Sequence, residues 1–242
     1  MIFTNLIQTN LRTKFFGKEI EYYQRLESTN EEASELIENG EATHGMIIIT
    51  DHQFKGKGRS GNSWFMSPSK GIAMSLILLE SLSFKIARLI PLVAGIAMAK
   101  TLNNRGFSPK LKWPNDIFFG SKKLIGFLPR VITRGKEIIY VRVGLGMNVL
   151  NYTPSEGISL SKVLQTKNIN QHYWTAKVLK AFYDAIECNK KKEYVIKSAN
   201  KFLTKSFLPS GYCPHTWKIK DIDSNGHLRI ENETQLKVIR RF

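Results

Sequence analysis

The stretch LKWPNDIFFGSKKLIGFLPRVITRGKEIIYVRVGLGMNV, Leu111 to Val149, decides the fold class. Runs rich in Ile, Val, Phe and Leu (111–113, 117–119, 123–133 and 138–143) alternate with turn-forming residues, so they read as successive strands joined by short connections. Working toward the N-terminus, Ile72 to Leu79, MIIIT (Met46 to Thr50) and Glu19 to Leu26 read as further strands. Between the last two, Ser28, Thr29 and Asn30 are good helix-capping types ahead of EEASELIENG. Glu31 and Glu32 complement the dipole of that helix, and Gly40 ends it. Ile86 to Asn104 reads as a second helix, whose small residues Ala94, Gly95, Ala97 and Ala99 permit close packing on a sheet. The expected class is therefore α/β (α+β), a mixed β-sheet with helices packed on one face.

Toward the C-terminus, Trp174 to Leu203 reads as helical, with Leu179, Phe182, Tyr183 and Ile186 at helical spacing and a solvated lysine run at 190–192. The pattern changes near Pro209, and HTWKIKDI, LRIEN and QLKVI read as three short strands of a small β-barrel-like unit. The expected domains are residues 1–205, carrying the chemistry, and a small C-terminal β domain at 206–242. Pro129 lacks a ladder donor, so a bulge or an edge is expected there.

A chain of 242 residues with 42% hydrophobic and 23% charged residues has the means to bury a sizeable core. Cys188 and Cys213 have neither metal-ligand spacing nor a disulfide framework, which predicts free thiols in a reducing compartment. The N-terminus lacks the pattern of a secretory leader. The apolar region Ile86 to Ala99 is broken by Arg88 and Pro91 and falls short of the roughly 20 residues that span a bilayer. No membrane partner and a cytoplasmic location are expected. The net charge of +16 is concentrated: from His52 to Lys136, 15 Lys and Arg face only Glu80 and Asp116, giving 15 − 2 = +13. Such a field suits a triphosphate and an acidic protein partner, and it equally suits a solvated basic face.

Three places carry candidate chemistry. In GKGRSG, Gly56 to Gly61, glycines let backbone N–H groups approach an anion, and Lys57 and Arg59 supply charge; ordinary flexible loops have the same composition. In KWPND, Lys112 to Asp116, Pro114 fixes the backbone at a strand end, where Asn115 and Asp116 either face a ligand or cap their own turn. Lys123 returns on the adjacent strand. In VGLGMNV, Val143 to Val149, glycines within an apolar strand mean close approach of another backbone or of a ligand.

Taken in order, STN, GKGRSGNSW, KWPND with KKLIGFL, and VGLGMN resemble the biotin protein ligase family over about Glu19 to Leu160, with a weaker likeness in the C-terminal strands. The resemblance implies the biotin/lipoate ligase catalytic domain, a fold like that of class II aminoacyl-tRNA synthetases. It implies activation of biotin with ATP to biotinyl-5′-AMP, with Mg²⁺, and transfer of biotin to a lysine of a biotin carboxyl carrier protein. Ser28, Thr29, Asn30 and Gln53 match positions that hold the biotin ring. Gly56, Lys57 and Arg59 match the loop that closes over the biotin carboxylate and the ATP phosphates. Trp64, Asn115 and Asn148 match the adenylate side. Lys123 matches the lysine beside the biotin carboxylate, and Asp116 a carboxylate near Mg²⁺ and the incoming lysine; Lys123, Arg59 and Asp116 are thus the catalytic candidates.

The chain departs from the family pattern where Lys57, Ser60 and Asn62 stand in the basic loop, and where Pro129 and Arg130 follow GFL. Lysine cannot form the bidentate fork of arginine, so the grip on phosphates is expected to differ. Only about two dozen residues precede the first core strand, too few for a winged helix, so no DNA partner is expected. Lipoate or octanoate ligases of the same fold, or a biotin-binding homologue with weak catalysis, are the alternatives, and an edge strand offers a route to a homodimer.

Overall fold

The computed structural model describes residues 2–79, 87–135, 137–188 and 192–240. Among the described residues, ten strands form two sheets. The larger contains β1 (Ile20–Tyr23), β2 (Ile47–Thr50), β3 (Gly71–Leu78), β4 (Lys110–Lys112), β5 (Asp116–Phe119), β6 (Lys122–Arg134) and β7 (Glu137–Asn148), in the order β1-β2-β3-β7-β6-β5-β4. Only β1 and β2 run parallel; the remaining neighbours are antiparallel, which makes the sheet mixed, as the alternation of runs and turns predicts. The Leu111–Val149 stretch forms four consecutive strands, and the last extends five residues beyond the expected end at Val143, through the glycines to Asn148.

Each sheet residue is assigned a face by the two-residue period of the strand. Ile47 and Ile49, Ile72, Met74 and Leu76, and Val143, Leu145 and Met147 are buried in one large apolar cluster. Helix α1 (Thr4–Asn10), α3 (Ile90–Asn103), α5 (Gln171–Cys188) and α6 (Lys192–Phe202) cover this side, and the short α4 (Leu160–Val163) follows β7. Helix α3 is buried nearly all round, with Pro91 in its first turn, where the missing N–H costs nothing. The expected start of this helix at Ile86 and the lysines at 190 and 191 lie outside the described residues.

The expectation that helices occupy one face needs correcting for α2 (Thr29–Glu38). Its Ala33 packs with Met46, Ile48 and Ile77 in a separate cluster on the opposite side of the sheet. The run MIIIT is buried at every position, and its three isoleucines are apolar on both faces because both are covered, so periodicity could not reveal that a helix lay on each. Gly40, at φ +74°, ends α2 as expected: its N–H donates to the Ile37 carbonyl while that of Glu41 donates to Leu36.

The C-terminal strands β8 (Lys218–Ile222), β9 (Leu228–Glu231) and β10 (Leu236–Ile239) form an open antiparallel sheet among the described residues, not the small barrel expected. Three short strands are too few to close on themselves. Ile219, Ile222, Leu228 and Ile230 are buried in the main cluster, so this sheet draws its core from the larger one. Pro129 lies where β6 has passed the end of β5, whose pairing stops at Gly126. The Phe127 N–H points to the Asn115 side, so two residues on the missing donor of Pro129 falls on an unpaired edge. Cys213 is a free, exposed thiol.

Because α2 is held on its face by so small a cluster, truncating Ile77, which is 0% exposed, to Ala is expected to cost about 2–5 kcal/mol. Urea unfolding should show the midpoint falling at an unchanged slope.

Candidate active site

The face covered by α2 carries the candidate chemistry, and β7 forms its floor. Since Val143, Leu145 and Met147 point to the helices, Gly144 and Gly146 point to the other side. A Cβ at Gly146 would lie 2.2 Å from the Trp64 indole, and one at Gly144 would lie 2.3 Å from the Asn30 carboxamide. Gly126, paired with Gly146 across the β6–β7 ladder, also lies beneath Trp64, with a Cβ position 3.2 Å from the ring. Glycine is required here because aromatic and polar groups rest directly on backbone. Gly56 serves the same end, since its Cβ would meet the Gln53 side chain at 2.4 Å and the Trp64 carbonyl at 2.5 Å.

A neutral polar cluster occupies one part of the site. The Thr29 N–H donates to Gln53 Oε1 at 3.1 Å, and the Ser75 hydroxyl lies 2.9 Å from Thr29 Oγ1 and 3.1 Å from Asn30 Oδ1. Ser28 caps α2 in extended conformation, yet its hydroxyl makes no capping bond and its Oγ is buried without a partner. Capping therefore does not account for this serine. Buried polar atoms normally find partners, and Ser28 Oγ, one residue before this cluster, lacks one.

Positive charge occupies another part. The loop between β2 and β3 closes on itself through a Lys57–Ser63 bridge, with a 3-10 turn at Arg59–Gly61. Arg59 Nη1 donates to Asn115 Oδ1 at 3.1 Å, and the Asn115 amide donates to the Phe127 carbonyl. The Trp113–Pro114 peptide is cis, and this turn presents Asn115 and Asp116 at the start of β5. Lys123 Nζ lies 2.9 Å from Asp116 Oδ2 and 5.4 Å from the centre of the Trp64 ring. Asp116 Oδ1 is buried with no hydrogen-bond partner. Lys57 pairs at 2.9 Å with Glu31 on α2, and this hydrogen bond is the main cause of the lowered Glu31 pKa.

Thr29, Asn30, Gln53, Lys57, Arg59, Trp64, Asn115, Asp116 and Lys123 all line one cavity of about 120 Å³. Ser28, Gly56 and Asn148 do not line it. Gly56 borders a second hollow of about 680 Å³, lined by residues 52–58 and 61–66. The Asn148 amide donates to the Lys123 carbonyl at 3.2 Å, so it braces the strand that carries the lysine. Sequence reasoning missed Ser75 and Arg142. A lone hydroxyl within the apolar run GIAMSLIL was the available signal for Ser75, since a fully buried strand tolerates a polar group only with a partner.

A model of the biotin/lipoate A/B protein ligase family matches residues 22–148, the span that contains the loop, the WPND turn, Lys123 and the glycine floor. The chain belongs to the biotin/lipoate A/B protein ligase family. Among relatives of this family, the bifunctional ligase/repressor BirA of Bacillus subtilis is 31% identical over 62% of this chain, and the biotin–protein ligase of Homo sapiens is 30% identical over 74%. The chain spans 46% and 25% of their respective lengths. A structure of the biotin protein ligase from Aquifex aeolicus in complex with biotin and ATP superposes with a TM-score of 0.72 at 24% identity, covering 92% of this chain and 95% of that one.

Within this family site, Gly146→Ala is expected to expel the indole from the floor. Tryptophan emission should shift to longer wavelength, and the same substitution in a Trp64→Phe background should leave the spectrum unchanged.

Proposed function

We propose that the chain is a biotin protein ligase, which joins biotin to ATP as biotinyl-5′-AMP and then transfers biotin to a lysine of a biotin carboxyl carrier protein. The observation that carries this reading is a single cavity lined by Thr29, Asn30 and Gln53, the first two held from behind by Ser75, together with Arg59 and Lys123. A ureido ring needs hydrogen-bond partners at its polar edge, and a carboxylate attacking a phosphate needs fixed positive charge. The names of the human relative and the Aquifex structure accord with this choice of acid and nucleotide.

In the first step a biotin carboxylate oxygen attacks the α-phosphorus of ATP, and pyrophosphate leaves. Arg59, held against Asn115, and Lys123, held against Asp116, offset the negative charge that builds on the phosphoryl oxygens. In the second step the carrier lysine attacks the acyl carbon and AMP leaves; Asp116, with one oxygen on Lys123 and the other unpaired, takes the proton from the incoming amine. Trp64 and the 54–61 loop exclude water from the adenylate meanwhile. Opening the loop costs little, because the Lys57–Glu31 pair is about half exposed on each side.

Among the described residues no cluster of three acidic, histidine or cysteine side chains gathers. The orphaned Asp116 Oδ1 nevertheless fits the way Mg²⁺ is commonly held, by one carboxylate together with substrate phosphates. When bound, the ion would supply further charge against the triphosphate. Among the described residues no helix is long and apolar enough to cross a membrane.

Purified protein with biotin, Mg²⁺ and labelled ATP should form biotinyl adenylate, and Lys123→Ala should lower its rate by about 10²–10³-fold. Adenylate with lipoate alone would transfer the chain to the lipoate branch of the family, and none with either acid would contradict ligase activity. Asp116→Asn should slow transfer to a carrier by about 10²-fold while adenylation changes by far less. Equal slowing of both steps would remove the base role.

A further inference from the structure

The buried guanidinium of Arg142 has no part in the chemistry described above. Arg142 is 4% exposed in mid-β7, on the same face as Gly144 and Gly146. Its Nη1 donates to the Asn30 carbonyl and to Ser34 Oγ, both on α2, while its Nε is buried without a partner. Arg130, directly opposite on β6, adds a like charge, and Glu31 is the acid that offsets it through space. A cation at the N-terminal turn of a helix also opposes the helix dipole.

For stability this is a poor arrangement. A buried charge without an ion-pair partner costs free energy that an apolar side chain of similar volume would not. Residues that break such rules concentrate where function demands them. What Arg142 touches supplies the demand. The Asn30 carbonyl that it binds belongs to the residue whose carboxamide rests on Gly144 and receives Ser75, one position from Thr29.

We propose that Arg142 is a positioning residue for the biotin ring: it ties the first turn of α2 to the glycine floor and so fixes Thr29 and Asn30 around the polar end of the cavity. This inference rests on the biotin reading above. It assigns the strand residue two places before Gly144 a part in substrate selection, since a ring with polar edges depends on that placement and a dithiolane or an alkyl chain does not.

The test is biotin-dependent ATP–pyrophosphate exchange by the full chain, comparing wild type with Arg142→Met, Arg142→Lys and Ser34→Ala. Arg142→Met should raise the KM for biotin about tenfold, leave kcat and the KM for ATP within about twofold, and leave the melting temperature equal or higher. Arg142→Lys should recover part of the loss. Ser34→Ala, which removes one acceptor and leaves the fold intact, should raise the same KM by about twofold to threefold. An unchanged KM for biotin in Arg142→Met and in Ser34→Ala overturns the inference while the ligase reading stands. So does a parallel loss of kcat, both KM values and melting temperature, which makes Arg142 structural only. A wild type that shows no biotin-dependent pyrophosphate exchange overturns the ligase reading and this inference together.

Discussion

Strand β7 must satisfy two incompatible neighbours at once, and the register of the whole sheet follows from how it does so. Its odd-numbered residues Val143, Leu145 and Met147 are sealed under helices, while Gly144 and Gly146 lie bare beneath Asn30 and Trp64. It is hydrogen-bonded along its length to β3 on one side and β6 on the other. A slip of one residue would place glycines in the core and apolar side chains against the indole, losing both packings. The deep helix-covered core thus aims the floor of the site, and the site needs no separate scaffold.

That dependence explains which parts of the molecule could be read from the chain. The strands from Leu111 to Val149 were legible because turn residues punctuate them, and Gly40 was legible because only a left-handed residue ends a helix in that way. The second helical face was not, since the three isoleucines of β2 are apolar whether one side or both are covered. The three C-terminal strands were legible too, but not that they stay open: alternation reveals one apolar face but not what covers it, and here the main core does. Candidate site residues were readable where polar or basic types stand in a loop or turn, as with Arg59, Asn115 and Asp116. Ser75 and Arg142 were hidden inside strands, where a single polar residue looks like an ordinary interruption of an apolar run.

The two kinds of polar group at the site are held by different means. Thr29, Asn30, Gln53 and Ser75 are buried and bonded to one another, so they keep their places without a ligand. Preorganisation of this kind suits a neutral ring, which brings no charge to compensate for reorganising its partners. Lys57 and Arg59 stand on a loop; Lys57 is bound through an exposed ion pair of small energy, and Arg59 donates to the Asn115 carboxamide. The half-exposed Lys57–Glu31 pair can be exchanged for a contact with an anion at little cost.

Lys123 and Asp116 lie between these extremes. They form an ion pair across adjacent strands, partly shielded from water, with the Asn148 amide bracing the carbonyl of the lysine. Were the pair merely structural, both carboxylate oxygens should find partners; instead Asp116 Oδ1 is left buried and unsatisfied. Leaving such an atom unpaired costs about 1–3 kcal/mol, more for a charged group, and natural structures seldom keep it without a use. An oxygen held in this state beside a fixed ammonium can accept a proton or a cation without first breaking a bond. The site thus gives up stability to keep an acceptor available beside a fixed positive charge.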